Sequence, residues 1–348
     1  MKTKAFAAMS SDKPLEYYEF ERREPTASDV EFKVQFCGVC HSDVHTARGD
    51  WGTVEYPCVT GHEIVGEVTR VGSDVTKHKV GDKVGVGCLV NSCGTCAPCK
   101  DGLEQYCSAG PVWTYSSVDP VDGTDTKGGY STVMVAPEHF VISLPHELSL
   151  AEAAPLLCAG ITMYSPLMHW NTAPGMKVGI VGLGGLGHMG VKYAKAMGAY
   201  VGVITSSPSK VDAAKHYGAD EVVVSSSEQD MQQAKRKFDL IIDTIPSTHD
   251  LKPYMDLLNV NGTIVLVGPI NPMPGFHCND VMNGRKSIAG SGIGGIKETK
   301  EMLEFSAKHG IVPDIEVITM QDINAAWDAL ASKQMSHRYV IDIEKSFL

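Results

Sequence analysis

At 348 residues the chain exceeds what one compact core usually holds, so two domains are expected. A net charge of −11, with 43% hydrophobic and 20% charged residues, fits a globular protein and argues against a nucleic-acid partner, because phosphate binding needs a basic face. No apolar run reaches the ~18–20 residues of a membrane span, and residues 1–6 lack the apolar stretch of a signal peptide. A cytoplasmic protein with no membrane partner is expected, in which the ten cysteines are thiols or metal ligands rather than disulfide staples.

Residues 1 to about 150 read as short strands with frequent turns. Residues 30–36 alternate apolar and polar, as a half-buried strand does, and 61–71 and 80–90 are further strands punctuated by glycine. Together they predict a β-rich, barrel-like domain with long loops. Ser149 is a suitable N-cap for a helix opening at 151–154. A strand at 177–181, a glycine turn, a helix at 188–197 stopped by Gly198 and a strand at 200–205 follow. A helix at 209–217 ends at Gly218, and strands are expected at 221–224, 240–243 and 262–268. Strands alternating with helices predict an α/β, doubly wound parallel sheet. Beyond 290, helices at 297–308 and 324–332 and a strand at 338–343 complete the expected elements.

Four cysteines, Cys93, Cys96, Cys99 and Cys107, form a C-x2-C-x2-C-x7-C run. That spacing lets one loop wrap a tetrahedral Zn2+ with every position filled by protein, and Gly94, Pro98 and Gly102 suit its turns. Taken alone, the run equally fits a zinc-ribbon binding module. Cys40, His62, Glu63 and Cys158 form a dispersed second set. Two thiolates and an imidazole are a known open zinc set with a position left for water or substrate, although free cysteines are also often simply buried. Gly182, Gly184 and Gly187 give G-x-G-x-x-G between a strand and a helix, the context in which glycines admit a pyrophosphate to a helix N-terminus. At the end of the next strand, where an NAD site usually carries an acid, stand Thr205, Ser206, Ser207 and, just beyond, Lys210, with no carboxylate before Asp212. Hydroxyls and a lysine suit a 2′-phosphate, so NADP is favoured over NAD; a solvated turn is the plain alternative. Cys37, Cys58, Cys88 and Cys278 lack motif context, and His249 is grouped with the solvent-facing or structural histidines. Trp51, Trp113 and Tyr115 suggest an aromatic-tolerant pocket, or ordinary packing.

On these residues the whole chain resembles the zinc-dependent medium-chain alcohol dehydrogenases, most of all the cinnamyl alcohol dehydrogenase type. The likeness rests on Gly-Val-Cys-His-Ser-Asp at 38–43, Gly-His-Glu at 61–63, the cysteine knuckle, Cys158, the Gly-Leu-Gly-Gly-Leu-Gly turn and the Thr-Ser-Ser segment with Lys210. It implies a GroES-like catalytic domain over 1–152 and 291–348, and a Rossmann NADP-binding domain over 153–290. It implies two Zn2+ per subunit, a catalytic one on Cys40, His62 and Cys158, which Glu63 can approach, and a structural one on the knuckle. Asp43 would orient the ligand histidine, Ser42 would take the alcohol proton, and His45 would form the outer end of a proton relay. His41 would meet the cofactor pyrophosphate. Gly182, Gly184, Gly185, Leu186 and Gly187 would form the phosphate turn, with Ser206, Ser207 and Lys210 reading the 2′-phosphate and Thr205 replacing the NAD-type acid. The segment 290–296 would lie near the nicotinamide and a subunit contact of a homodimer. The implied activity is NADP(H)-linked interconversion of primary, aromatic or allylic alcohols and aldehydes. The alternatives are an NAD-linked polyol or short-chain alcohol dehydrogenase, a zinc-free quinone or enoyl reductase, and a zinc-stabilised NADP(H)-binding redox sensor without turnover.

Overall fold

The computed structural model describes residues 1–268, 271–331 and 337–347; the last residue of the helix expected at 324–332 falls outside them. The chain divides into two compact units, Met1–Cys158 with Gly294–Leu348, and Ala159–Ile293. The units change over at 158/159 and 293/294, where the sequence reading puts 152/153 and 290/291.

The first unit is built on a seven-stranded sheet. Strand Asp29–Gly38 lies at its centre, flanked by Ile64–Val71 and Arg338–Asp342 and also paired with Val133–Pro137. Val30, Phe32 and Val34 on the central strand are fully buried, as the period-two pattern requires, and join Ile64, Val84, Val86 and Tyr130 in one core. Strand Arg338–Asp342 runs antiparallel to Asp29–Gly38 with Val340 opposite Gly38, so the C-terminal segment completes this unit. The expected strands at 61–71 and 80–90 are shorter: Ile64–Val71, then Lys83–Val86 and Leu89–Asn91. Residues 61–63 are left as irregular backbone, which frees His62 and Glu63 from the alternation of the ladder.

Several elements of this unit escape the sequence reading, among them the N-terminal hairpin and a short helix. Strands Lys2–Ala8 and Leu15–Glu21 form an antiparallel hairpin whose buried face in the first strand is Thr3, Ala5 and Ala7; such small side chains leave little hydrophobic periodicity to detect. Helix His41–Arg48 begins inside the motif at 38–43. Asp43 accepts the Cys40 backbone N–H at 2.9 Å, Arg48 sits in the last turn, and Gly49 closes the helix at φ 75°.

The second unit is a six-stranded, all-parallel sheet in the order Glu221–Val224, Tyr200–Thr205, Lys177–Val181, Phe238–Asp243, Leu258–Leu266, Ser287–Gly290. Its first strand in sequence, Lys177–Val181, lies inside the sheet, so the strand order reverses there and the carboxyl ends of Lys177–Val181 and Phe238–Asp243 flank a topological switch point. Val178, Ile180, Val203, Leu240, Ile241 and Ile264 are fully buried, as strands covered on both faces require. The helix expected at 209–217 divides into a tight turn at Pro208–Lys210 and helix Val211–His216, and the strand expected at 262–268 starts earlier, at Leu258. Helix Ile161–His169 and strand Ser287–Gly290 are additional elements. No helix among the described residues is long and apolar enough to cross a membrane.

Candidate functional site

Cys40, His62, Glu63 and Cys158 each bring one ligand atom to within 4.8 Å of all the others. Three different local structures deliver them. Cys40 caps helix His41–Arg48, His62 and Glu63 occupy the irregular approach to strand Ile64–Val71, and Cys158 lies in a π-helical turn, Leu156–Gly160, that follows helix Leu150–Pro155. A π turn redirects a side chain within an otherwise helical run and is frequent at functional sites. Cys158 is 6% exposed, His62 4% and Glu63 0%, so these donors are withdrawn from solvent.

Asp43 organises the set. Its Oδ1 accepts from Gly61 N at 3.0 Å and lies 2.9 Å from His62 Nδ1, while Oδ2 accepts from Cys40 N at 2.9 Å and Tyr130 Oη at 3.1 Å. A carboxylate only accepts, so His62 donates from Nδ1 and its Nε2 is the nitrogen left for a metal. The Tyr115 hydroxyl oxygen, 3.0 Å from Nδ1, shares that N–H. Tyr115 is therefore a buried partner of the histidine rather than an open pocket wall, whereas Trp51 and Trp113 are 50% and 41% exposed.

The charge balance includes a residue that sequence reasoning missed. Arg338, on the C-terminal strand, donates through Nη2 to Glu63 Oε1, and both side chains are buried. Glu63 Oε2 is buried with no hydrogen-bond partner among the described residues, packed so close to Gly38 that a Cβ there would stand 1.9 Å from it. Burial pushes the Glu63 carboxyl up to about 7, against the opposing pull of Arg338. The Cys40 thiol is held well below its ordinary value, first by its hydrogen bond with Cys158 and then, against burial, by His62 and Arg338; the same contact raises Cys158. One thiolate, a fixed imidazole and an unsatisfied carboxylate oxygen are a donor set that suits Zn2+, so these residues fit the metal.

Ser42 and His45 lie one turn apart on helix His41–Arg48. Cys40 Sγ and Ser42 Oγ are 3.6 Å apart, which keeps the hydroxyl against the donor cluster. His45 Nδ1 is 2.7 Å from Asp50 Oδ2, and its ring stands 5.6 Å from that of Trp51. The expected pyrophosphate contact, His41, places Nε2 3.0 Å from the Leu330 carbonyl oxygen and donates to it.

The cysteine knuckle is a separate structure. Cys93, Cys96, Cys99 and Cys107 also bring their sulfurs within 4.8 Å of one another, and Cys93 and Cys99 are 3.9 Å apart, close to the ~3.8 Å edge of a tetrahedron with ~2.3 Å metal–sulfur arms. Backbone N–H groups point at the sulfurs: Cys93 N to Cys107 Sγ, Cys96 N to Cys93 Sγ and Ser108 N to Cys96 Sγ, each at 3.4 Å. Hydrogen bonds from the Thr95 and Cys96 backbone hold the Cys93 thiol down to about 5. None of the ten cysteines is in a disulfide.

In the second unit, Gly182 follows strand Lys177–Val181 with φ 89°, and Gly187 opens helix Gly187–Ala196. A Cβ on Gly187 would stand 2.0 Å from the Gly182 carbonyl oxygen, so only glycine lets the turn close. Beside Gly184 a Cβ would meet nothing within 4 Å, leaving the open approach that a pyrophosphate needs. Beyond strand Tyr200–Thr205, Lys210 reaches the same turn, its Nζ donating to the Leu183 carbonyl at 2.9 Å, while at the strand end Thr205 Oγ1 accepts from Ser207 N at 3.2 Å. Ser206 is exposed. The turn and these residues fit a dinucleotide.

Residues 26–146 match the alcohol dehydrogenase GroES-like domain family, and residues 185–308 the zinc-binding dehydrogenase family. A probable mannitol dehydrogenase of Fragaria ananassa is 52% identical over 98% of this chain and 95% of its own length. The aldehyde reductase YahK of Escherichia coli is 49% identical over 98% of each. Among solved structures, a cinnamyl alcohol dehydrogenase from Sorghum bicolor superposes with a TM-score of 0.96 at 44% identity, covering 99% of each chain. A Helicobacter pylori cinnamyl alcohol dehydrogenase complexed with NADP(H) gives 0.94 at 43% identity, covering 100% of this chain and 99% of that one.

Proposed function

This chain belongs to the medium-chain, zinc-type alcohol dehydrogenase/aldehyde reductase family, and we propose that it is a zinc-dependent, NADP(H)-linked enzyme that interconverts primary aromatic or allylic alcohols and their aldehydes. The observation that carries the proposal is the convergence of Cys40, His62, Glu63 and Cys158 into one buried donor set. Zn2+ held by Cys40, His62 and Cys158 supplies a Lewis acid for the substrate oxygen, and the nicotinamide supplies or receives the hydride. The protein contributes position and proton handling. Asp43 holds His62 in the tautomer that ligates through Nε2. Ser42 Oγ receives the alcohol proton in oxidation or returns it in reduction, and His45, backed by Asp50, carries it to solvent. Glu63, tied to Arg338, would stand beside that Zn2+ as a further carboxylate donor. Cys93, Cys96, Cys99 and Cys107 hold a second, structural Zn2+.

The cofactor choice rests on Thr205, Ser206, Ser207 and Lys210, which leave the strand end without a carboxylate to repel a 2′-phosphate. Other relatives, of Mycolicibacterium smegmatis, are named NADP-dependent alcohol dehydrogenases, which supports the same choice. The aromatic or allylic substrate rests on relatives named for cinnamyl alcohol; the relative named for mannitol supports a polyol reading instead. Initial rates of NADPH and NADH oxidation with cinnamaldehyde, and of NADP+ and NAD+ reduction with mannitol, separate these before and after chelation of exchangeable zinc. Fast, chelator-sensitive, NADPH-dependent reduction of cinnamaldehyde is expected. Preferential turnover of mannitol would overturn the substrate assignment, and NADH preference the cofactor assignment. Thr205→Asp with Lys210→Ala is expected to move the NADPH/NADH preference by about ten- to a hundredfold toward NADH; an unchanged ratio would mean the phosphate is read elsewhere.

A further inference from the structure

His249 and Asp243 lie outside every motif considered above, yet they form a closed polar pair at the carboxyl end of strand Phe238–Asp243. Asp243 is fully buried, and its Oδ2 is 2.8 Å from His249 Nε2. The other ring nitrogen, Nδ1, is 2.8 Å from the Ser247 carbonyl oxygen. A carbonyl oxygen only accepts, so Nδ1 carries a proton and donates to it; the second proton of the pair then lies between Nε2 and the carboxyl group. Asp243 Oδ1 accepts from Ile245 N at 3.0 Å, and the Tyr254 ring packs edge-on against His249 at 5.7 Å. Both ends of the loop between the two residues are thereby fixed. Thr248 Oγ1, donating to the Pro272 carbonyl at 3.0 Å, adds a third tie.

That loop is the buttress of the glycine turn. Thr244, directly after Asp243, donates twice to the Val181 carbonyl, from its backbone N at 3.0 Å and from Oγ1 at 2.7 Å. Val181 is the residue before Gly182, and a Cβ on Gly182 would stand 2.7 Å from Thr244 Oγ1. The backbone of Asp243 is held from the other side, its carbonyl accepting from Val267 N at 3.0 Å and Gly268 N at 3.1 Å. The contacts run without a gap from His249 to Asp243, from Thr244 to Val181, and so to the start of Gly182–Gly187, at the sheet's switch point.

We propose that His249, latched to Asp243, is a positioning residue for the dinucleotide site, holding Thr244 against the glycine turn so that its backbone N–H groups are presented to the pyrophosphate. The inference rests on the dinucleotide reading of that turn and extends it to a residue outside the set of 2′-phosphate readers. Pre-organisation of the turn acts on the part of the cofactor common to NADPH and NADH, and therefore on affinity for both.

The test is direct binding of NADPH and of NADH, followed by nucleotide fluorescence, to wild type, His249→Ala, His249→Gln, Asp243→Asn and Lys210→Ala, with thermal denaturation and steady-state kinetics of each. For His249→Ala the dissociation constants of both nucleotides are expected to rise about tenfold, the loss of one charge-assisted hydrogen bond. The KM for cofactor rises with them, while kcat at saturating cofactor falls less than about twofold. His249→Gln, whose amide can still donate to Asp243, recovers part of the affinity, and Asp243→Asn, with one acceptor for two donors, weakens binding if it folds. Lys210→Ala weakens NADPH alone. Unchanged dissociation constants in folded His249→Ala would overturn the latch, as would a loss confined to NADPH, or a fall in kcat matching the rise in KM. A wild type that binds NADH as tightly as NADPH would refute the NADP assignment while leaving the latch measurable with NADH. A wild type that binds neither would remove both.

Discussion

The two cysteine-containing donor sets contrast in how the chain builds them. The knuckle takes all four sulfurs from one loop, binds them with its own backbone N–H groups, and leaves Cys93 exposed. The Cys40–His62–Glu63–Cys158 set is gathered from a helix cap, a strand approach and a π turn, is buried, and depends on Asp43 and Arg338 for its orientation and charge. The first is closed, with four equivalent ligands and no acceptor left over. The second carries an unsatisfied carboxylate oxygen and a hydroxyl at its edge. A closed set made locally suits folding; an open set made by the whole unit suits chemistry, because each ligand can be held from behind by a different element.

The largest effect that can break this contrast comes from removing one ligand of the open set. Cys40→Ser or His62→Ala is expected to leave one Zn2+ per chain, held by the knuckle, and to lower turnover by a thousandfold or more, roughly 4 kcal/mol of lost transition-state stabilisation. Metal content by mass spectrometry alongside kcat decides it. Normal turnover with zinc at the knuckle alone would remove the chemical role from the buried set. The complementary change, Cys96→Ser, is expected to cost about 3 kcal/mol of stability and lower Tm by ~5–10 °C, with the residual folded fraction keeping its KM for aldehyde. A stable Cys96→Ser protein with altered chemistry would reverse the roles of the two sets.

The same contrast explains what the sequence discloses. The knuckle is legible because its ligands are close in sequence, and the glycine turn because strand, turn and helix are consecutive. The buried set has no such spacing: the residue types group it but leave ordinary buried cysteines as an equal alternative, and its reading as a zinc site came from the family resemblance. Arg338 was invisible for a physical reason: its partner Glu63 is 275 positions away, and the two meet only because strand Arg338–Asp342 pairs with the central strand Asp29–Gly38. Tyr130 was equally hidden, since it reaches Asp43 across 87 positions. The N-terminal hairpin was missed because its inner face is threonine and alanine, and helix His41–Arg48 because its capping residues double as site residues. His249 is the opposite case: its partner lies six positions away, a separation at which the sequence carries no periodic signal that distinguishes a latch from a solvated loop.

The smallest effect concerns how the closed set is tied to the rest of its unit. Glu104, next to the knuckle and 2% exposed, accepts the Ile296 N–H through Oε2 at 3.0 Å and bonds His139 Nε2 through Oε1 at 2.6 Å. Helix Ile296–His309 has Gly295 at its N-cap, which offers no side chain, so Glu104 supplies the missing acceptor from a distant loop and places a negative charge at the positive end of the helix dipole. Burial works to raise this carboxyl, but the bonds from His139 and Ile296 prevail and its value lies below the ordinary carboxylate range. A carboxyl lowered on folding stabilises the protein above its unfolded value, near 4.3 for glutamate, and that contribution disappears as pH falls through the lower folded value. Glu104→Gln keeps the size and one acceptor but loses the charge. It is expected to cost ~1–2 kcal/mol near neutral pH, a fall of a few degrees in Tm, and to flatten the loss of stability between about pH 5 and pH 3 relative to wild type. Zinc content should be unaffected, because no knuckle ligand is touched. If the variant instead loses zinc in parallel with stability, the knuckle is not closed on its own ligands but depends on this carboxylate for its shape, and the distinction between a locally built and a globally built metal site narrows to a difference of degree.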